Sequence, residues 1–65
     1  MGMVDEREAR NIGTGVVVKM QQVAGGSFTN VAVRGPYGLL YTRTYANSTP
    51  AEIDYARRCQ EHGAE

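Results

Sequence analysis

Hydrophobic residues are spaced at two different periods along this chain. From Val16 to Val23 and from Phe28 to Arg34, β-branched and apolar residues crowd two short runs, the composition favoured in strands. Gly25-Gly26 lies between them, and two glycines with free access to positive φ are a strong signal for a two-residue hairpin turn. Leu39 to Tyr45 reads as a third strand. It is reached through Gly35-Pro36-Tyr37-Gly38, with Pro36 pre-set for the first central position of a turn. Beyond it the period lengthens. Ile53, Ala56 and Cys59 fall on one side of a helical projection, and Asp54, Arg57, Arg58 and Glu61 on the other. Thr49-Pro50-Ala51-Glu52 has the form of a capping box with proline at the first helical position. The helix is expected from about Pro50 to Glu61 or His62, with Gly63 placed to end it.

These elements predict an α+β domain: a three-stranded antiparallel β-meander followed by one C-terminal amphipathic helix (βββα), occupying residues 12–65. Residues 1–11 are dense in charge and are expected to form a tail or a short helix. Gly13 and Gly15 break any helix that starts there.

The turns fix a register. A two-residue loop at Gly25-Gly26 pairs Ala24 with Ser27, Val23 with Phe28, Gln21 with Asn30 and Val18 with Val33. A turn at Pro36-Tyr37 pairs Arg34 with Leu39, Val33 with Leu40, Ala32 with Tyr41, Asn30 with Arg43 and Phe28 with Tyr45. Side chains alternate between faces with period two. One face then collects Val16, Val18, Met20, Val31, Val33 and Leu40, a floor for the helix stripe. The expected core is Val18, Val31, Val33, Leu40, Ile53 and Ala56. Beside Val17, Val23, Ala32 and Leu39, the other face collects Lys19, Gln21, Phe28, Asn30, Arg34, Tyr41, Arg43 and Tyr45. A one-residue slip at the second turn would ask the helix to cover Arg43, so the unslipped register is the expectation. One helix covers only one sheet face, which leaves the aromatic and basic face open. Aromatics mixed with arginine are what binding hot spots are made of, and those eight residues are the candidate partner-binding set. The plainer reading is a solvated face stabilised by cross-strand pairs.

With 65 residues the chain has room for one domain, and domains this small are marginal without a staple. Cys59 is the only cysteine, so no disulfide forms within the chain. Cys59 and His62 are the only soft or imidazole ligands, too few for a zinc site. Neither a metal nor a cofactor is expected; self-association as a homodimer is the staple left, with a well-packed monomer the alternative. A single cysteine and the lack of any apolar run near the ~20 residues that span a bilayer point to a cytoplasmic protein with no membrane partner. Net charge is zero, but its distribution is uneven: no acid occurs from Ala9 to Ala51, where Arg10, Lys19, Arg34 and Arg43 lie.

Catalysis needs a constellation of groups, and none is legible. Cys59 reads as a core residue, and His62 as a dipole partner at a helix end. The glycine pairs are not followed by the lysine and helix of a phosphate loop. The expectation is a non-catalytic binding module.

The strand–turn–strand–turn–strand–helix order from Ser27 to Gln60 resembles, in topology, the plant AP2-type DNA-binding domain and the arm-binding domain of tyrosine recombinases. Tyr45 stands shortly before the helix in the same order. Those families lay three strands in the major groove, so the resemblance implies double-stranded DNA as a partner. The tryptophans and dense arginines of the plant family are missing here. Double-stranded RNA-binding domains share the meander and helix, but their lysine-rich helix start is replaced by Ser48-Thr49-Pro50-Ala51-Glu52. Lys19, Arg34 and Arg43 would neutralise about three phosphates, against ~6–10 contacts in tight duplex binders. A larger protein partner is therefore favoured, with duplex DNA second. A small regulator or inhibitor, of the size of the anti-CRISPR proteins of mobile elements, is the functional class expected.

Overall fold

A computed structural model of the chain describes residues 6–23 and 28–65. The elements are β1 Glu6–Asn11, β2 Val16–Gln22, β3 Thr29–Gly35, β4 Gly38–Tyr45 and α1 Ser48–His62. The strands form one antiparallel sheet in the order β1-β2-β3-β4, and α1 packs across one of its faces, chiefly over β2 and β3. The α+β class is as expected, with four strands rather than three. At 15 residues, α1 is neither long nor apolar enough to cross a membrane, and it is the only helix among the described residues.

The extra strand comes from the segment expected as a tail or helical turn. Residues Glu6–Asn11 pair with β2 from Glu6 opposite Gln21 to Asn11 opposite Val16. Only Ala9 is buried along β1, where it joins Val16, Val18, Val33 and Ala64. A strand whose other side chains are charged or polar shows almost no alternation of hydrophobicity. The connection to β2 closes with the Gly15 N–H donating to the Asn11 carbonyl at 2.8 Å. Gly15 has φ 76° there, a conformation glycine adopts without a Cβ penalty.

The β2–β3 hairpin keeps the expected register, with Val18 opposite Val33 and Gln21 opposite Asn30. The Val23 N–H donates to the Phe28 carbonyl at 2.8 Å. The Gly25-Gly26 turn and the Ala24–Ser27 pair lie outside the described residues.

The second hairpin departs from expectation. Arg34 does pair with Leu39, but a bulge follows, and Val33 stands opposite Tyr41 rather than Leu40. From there to Tyr45 every β4 side chain is on the face opposite to the one expected. Two physical terms account for the slip. Leu40 packs against Gly35, where any side chain would press on it, a Cβ there coming 3.1 Å from Leu40 Cδ1. The slip also brings the hydroxyls of Tyr41 and Tyr45 to the Asp54 carboxylate on α1. Arg43 is not covered by the helix as feared. It stands at the sheet's outer strand, exposed, with its guanidinium 5.0 Å from the centre of the Tyr45 ring.

The core follows from this register. Val18, Val31 and Val33 are fully buried, as expected, and Val16, Met20, Ala9, Ala51 and Ala64 complete it. Leu40 and Ile53 are 61% and 58% exposed, and Ala56 is exposed as well, so these three expected core residues lie outside it. The helix is turned so that Ala51, Asp54, Tyr55, Arg58, Cys59 and His62 face the sheet. That i, i+3, i+4, i+7 pattern contains a carboxylate and a guanidinium, which a search for apolar stripes passes over.

The helix ends also differ in part. Asn47, extended at φ −130° and ψ 150°, is the N-cap, and no side chain caps the helix. The expected Thr49–Glu52 capping box does not form, and Glu52 instead pairs with Arg7 at 3.2 Å. Pro50 sits third in the helix, still within the first turn, where a missing N–H removes no intrahelical bond. Gly63 does end the helix, at φ 63°. Its N–H donates to the Gln60 carbonyl at 3.3 Å, and the Ala64 N–H donates to the Cys59 carbonyl at 2.8 Å. These are the two bonds of a Schellman motif, and Cys59 packs against the core cluster that holds Ala64.

Candidate interaction edge and sheet face

Backbone hydrogen bonds in an antiparallel sheet alternate, so each residue turns its N–H and C=O toward one neighbouring strand only. The Val23 bond to Phe28 sets the phase for the whole sheet. On β3, Asn30 and Ala32 bond toward β2, and Val31 and Val33 bond toward β4. It follows that Tyr41, Arg43 and Tyr45 turn their backbone groups inward to β3, while Thr42 and Thr44 turn theirs outward. Two observations agree with this phase. The Arg43 carbonyl, aimed at β3, also accepts from Asn30 Nδ2 at 3.2 Å. At the far side of the sheet, the outward groups of Arg10 on β1 are both bonded to Glu65.

The two sheet edges are thus treated differently. On β1, the chain after Gly63 returns alongside the strand. Asn11 Nδ2 donates to the His62 carbonyl at 2.8 Å, the Arg10 N–H donates to the Glu65 carbonyl at 3.1 Å, and the Glu65 N–H donates back at 3.0 Å. On β4 no described segment pairs with the outer edge. All eight residues of β4 are exposed or half-buried. Long uncovered edges are ready templates for another strand, and proteins usually blunt them with charge, proline or a covering segment.

The sheet face away from α1 carries Glu6, Glu8, Arg10, Val17, Lys19, Gln21, Asn30, Ala32, Arg34, Leu39, Thr42 and Thr44 by register. Lys19, Gln21, Asn30 and Arg34 therefore stand on the open face as expected. Phe28, half exposed, continues it beside Val23. Tyr41, Arg43 and Tyr45 do not: the bulge puts them on the helix side. The open face is also less basic than the sequence implied, because β1 adds carboxylates to it. Lys19 Nζ is 2.8 Å from Glu6, and Arg10 is 2.6 Å from Glu8. Asn30 Nδ2 donates to the hydroxyls of Thr42 and Thr44 at 3.0 and 3.1 Å, fixing both threonine side chains at the β4 edge.

Behind the edge, on the helix side, lies a polar clasp. The Tyr41 and Tyr45 hydroxyls both donate to Asp54 Oδ2, at 2.6 and 2.8 Å. Arg58 Nε stands 3.2 Å from Asp54 Oδ1, off line for a hydrogen bond, so the contact is chiefly electrostatic. The Arg58 guanidinium also lies 5.1 Å from the centre of the Tyr41 ring, a cation–π distance. Burial, and then donation to Asp54, push the Tyr41 hydroxyl up to about 12. The clasp ties β4 to α1 through two hydrogen bonds to one carboxylate. Among the described residues no cluster of three or more histidine, cysteine, aspartate or glutamate side chains is placed to hold a metal ion.

The sequence reading missed Thr42 and Thr44, the residues that own the free edge. Their signal was faint: threonine alternating with tyrosine and arginine across 41–45, a strand composition without an apolar face. No protein-family model matches the chain, and neither does any curated protein or solved structure.

Proposed function

We propose that this protein is a non-catalytic binding module that acts on a larger protein partner, as a regulator or inhibitor, through β4 and the sheet surface beside it. The observation that carries this reading is the asymmetry of the edges: β1 is closed by the chain's own residues 64–65, while no described segment pairs with the outer edge of β4. Exposed Leu39 and Leu40 extend the surface at one end of β4, and apolar side chains in contact with solvent beside a free edge suit a protein interface. The charge balance favours protein over duplex DNA. Glu6 and Glu8 lie on the open face, and carboxylates there oppose the phosphate contacts that supply most of the affinity for DNA.

Site-specific photocrosslinking tests the reading. A photoreactive residue at position 42 should trap a protein from extracts of the cells that make this chain, and one at position 10 should not. Equal trapping at both positions, or no trapping while a duplex DNA probe shifts at physiological salt, would overturn it.

A further inference from the structure

Ion pairing in the molecule is as lopsided as its edges. On the β1 side every described cation has a partner: Arg7 with Glu52, Arg10 with Glu8 and Lys19 with Glu6. Arg34, Arg43 and Arg57 form no ion pair with any described carboxylate. Arg43 projects from β4 on the helix side, directly opposite Val31. Arg57 follows Asp54 by three residues, so it shares the flank of α1 that meets β4. Arg34 stands one strand in, on the open face. Among the described residues, the outer edge of β4 is therefore flanked by positive charge that no carboxylate pairs, on the side where a new strand's alternate side chains would fall.

We propose that β4 receives an extended, acidic segment of a partner protein as a fifth strand. The proposal rests on the protein-binding reading above and gives the partner its chemistry. The outward N–H and C=O groups of Thr42 and Thr44 supply the main-chain bonds. Acidic side chains at every second position of the added strand face Arg43 and Arg57. The intervening side chains lie over Thr42 and Thr44, where small or β-branched residues fit. Main-chain bonds give such a complex its affinity and the alternate side chains its selectivity. A second copy of this chain fits less well. A twofold pairing that joins Thr42 of one copy to Thr44 of the other sets Arg43 directly opposite its own equivalent, and like charges facing each other across a ladder destabilise it.

A capped heptapeptide of alternating glutamate and valine is the probe, with the lysine–valine peptide as its control, and binding is read from amide chemical shifts of the labelled protein. The expected result is binding of the glutamate peptide alone, with the largest shifts at Thr42 and Thr44. Thr44→Pro removes an outward N–H while sparing the β3 ladder, since proline is tolerated on edge strands, and should weaken binding at least about tenfold. The double substitution Arg43→Glu with Arg57→Glu should transfer the preference to the lysine peptide. Binding that Thr44→Pro leaves intact would reduce the site to a charged patch and overturn the proposal. So would protection of the Thr42 and Thr44 amides by dimerisation in the absence of peptide. Failure of the peptide to bind, with position 42 still trapping a protein, would overturn the acidic-strand proposal and leave the protein-binding reading standing.

Discussion

Arg10 and Glu65 exchange both of their backbone hydrogen bonds, at 3.1 and 3.0 Å, as two residues do in an antiparallel ladder. Fifty-five positions apart (65 − 10) in sequence, they close the β1 edge of the sheet. The turn that makes this return available is Gly63. An alanine there would have to hold φ near 63°, and its Cβ would come 3.1 Å from Asn11 Nδ2. Gly63→Ala should cost ~1–2 kcal/mol in chemical denaturation and speed amide exchange at Arg10. A substitution without effect on either would mean that the tail does not depend on the helix end.

Burial separates the aliphatic residues sharply. Met20 is 2% exposed, so Met20→Ala should cost ~2–5 kcal/mol. Ile53→Ala, in contrast, should stay within ~0.5 kcal/mol of the parent, as surface substitutions do. Equilibrium urea unfolding of the two variants checks the order. Marked destabilisation by Ile53→Ala would turn α1 over and undo the placement of Asp54.

The clasp predicts an alkaline limit. The Tyr41 hydroxyl titrates near 12 in the folded protein and near ~10 in an unfolded chain. Burial raises Tyr55 in the same direction, with Cys59 the next cause. A proton held more tightly when folded stabilises the fold fully below about pH 10. That contribution falls as the unfolded chain ionises, and it is gone once pH passes about 12. Stability measured from pH 8 to 12 should therefore decline. Tyr41→Phe should start lower, by ~1–2 kcal/mol for the lost bond to a carboxylate, and decline less steeply over that window. Parallel curves for the two proteins would show that Tyr41 is not the group responsible.

Much of this fold was legible in the sequence, and what was not has physical reasons. The β2–β3 hairpin could be registered because valines alternate on both strands around a two-glycine turn. β1 could not, since a strand held by one buried alanine and by Glu65 shows no period. The bulge was hidden by Leu39-Leu40: two adjacent leucines give the same apolar signal in either register, and only the reach of Tyr41 and Tyr45 to Asp54 decides between them. The same carboxylate concealed the buried face of α1. Of the candidate site, Lys19, Gln21, Asn30 and Arg34 could be placed on the open face because they belong to the well-registered hairpin. The exposed edge at Thr42 and Thr44 emerged only once the strand order and hydrogen-bond phase were known.

The contrast between a closed and an open edge is tested most directly by residue-resolved amide hydrogen exchange on the free protein at low concentration. The Arg10 amide should be protected to the level of its neighbours in β1, by Glu65. The Thr42 and Thr44 amides should exchange near the rate of an unstructured chain, between strongly protected Tyr41 and Arg43. Protection at Thr42 and Thr44 equal to that at Arg43, or a fast-exchanging Arg10, would contradict the account.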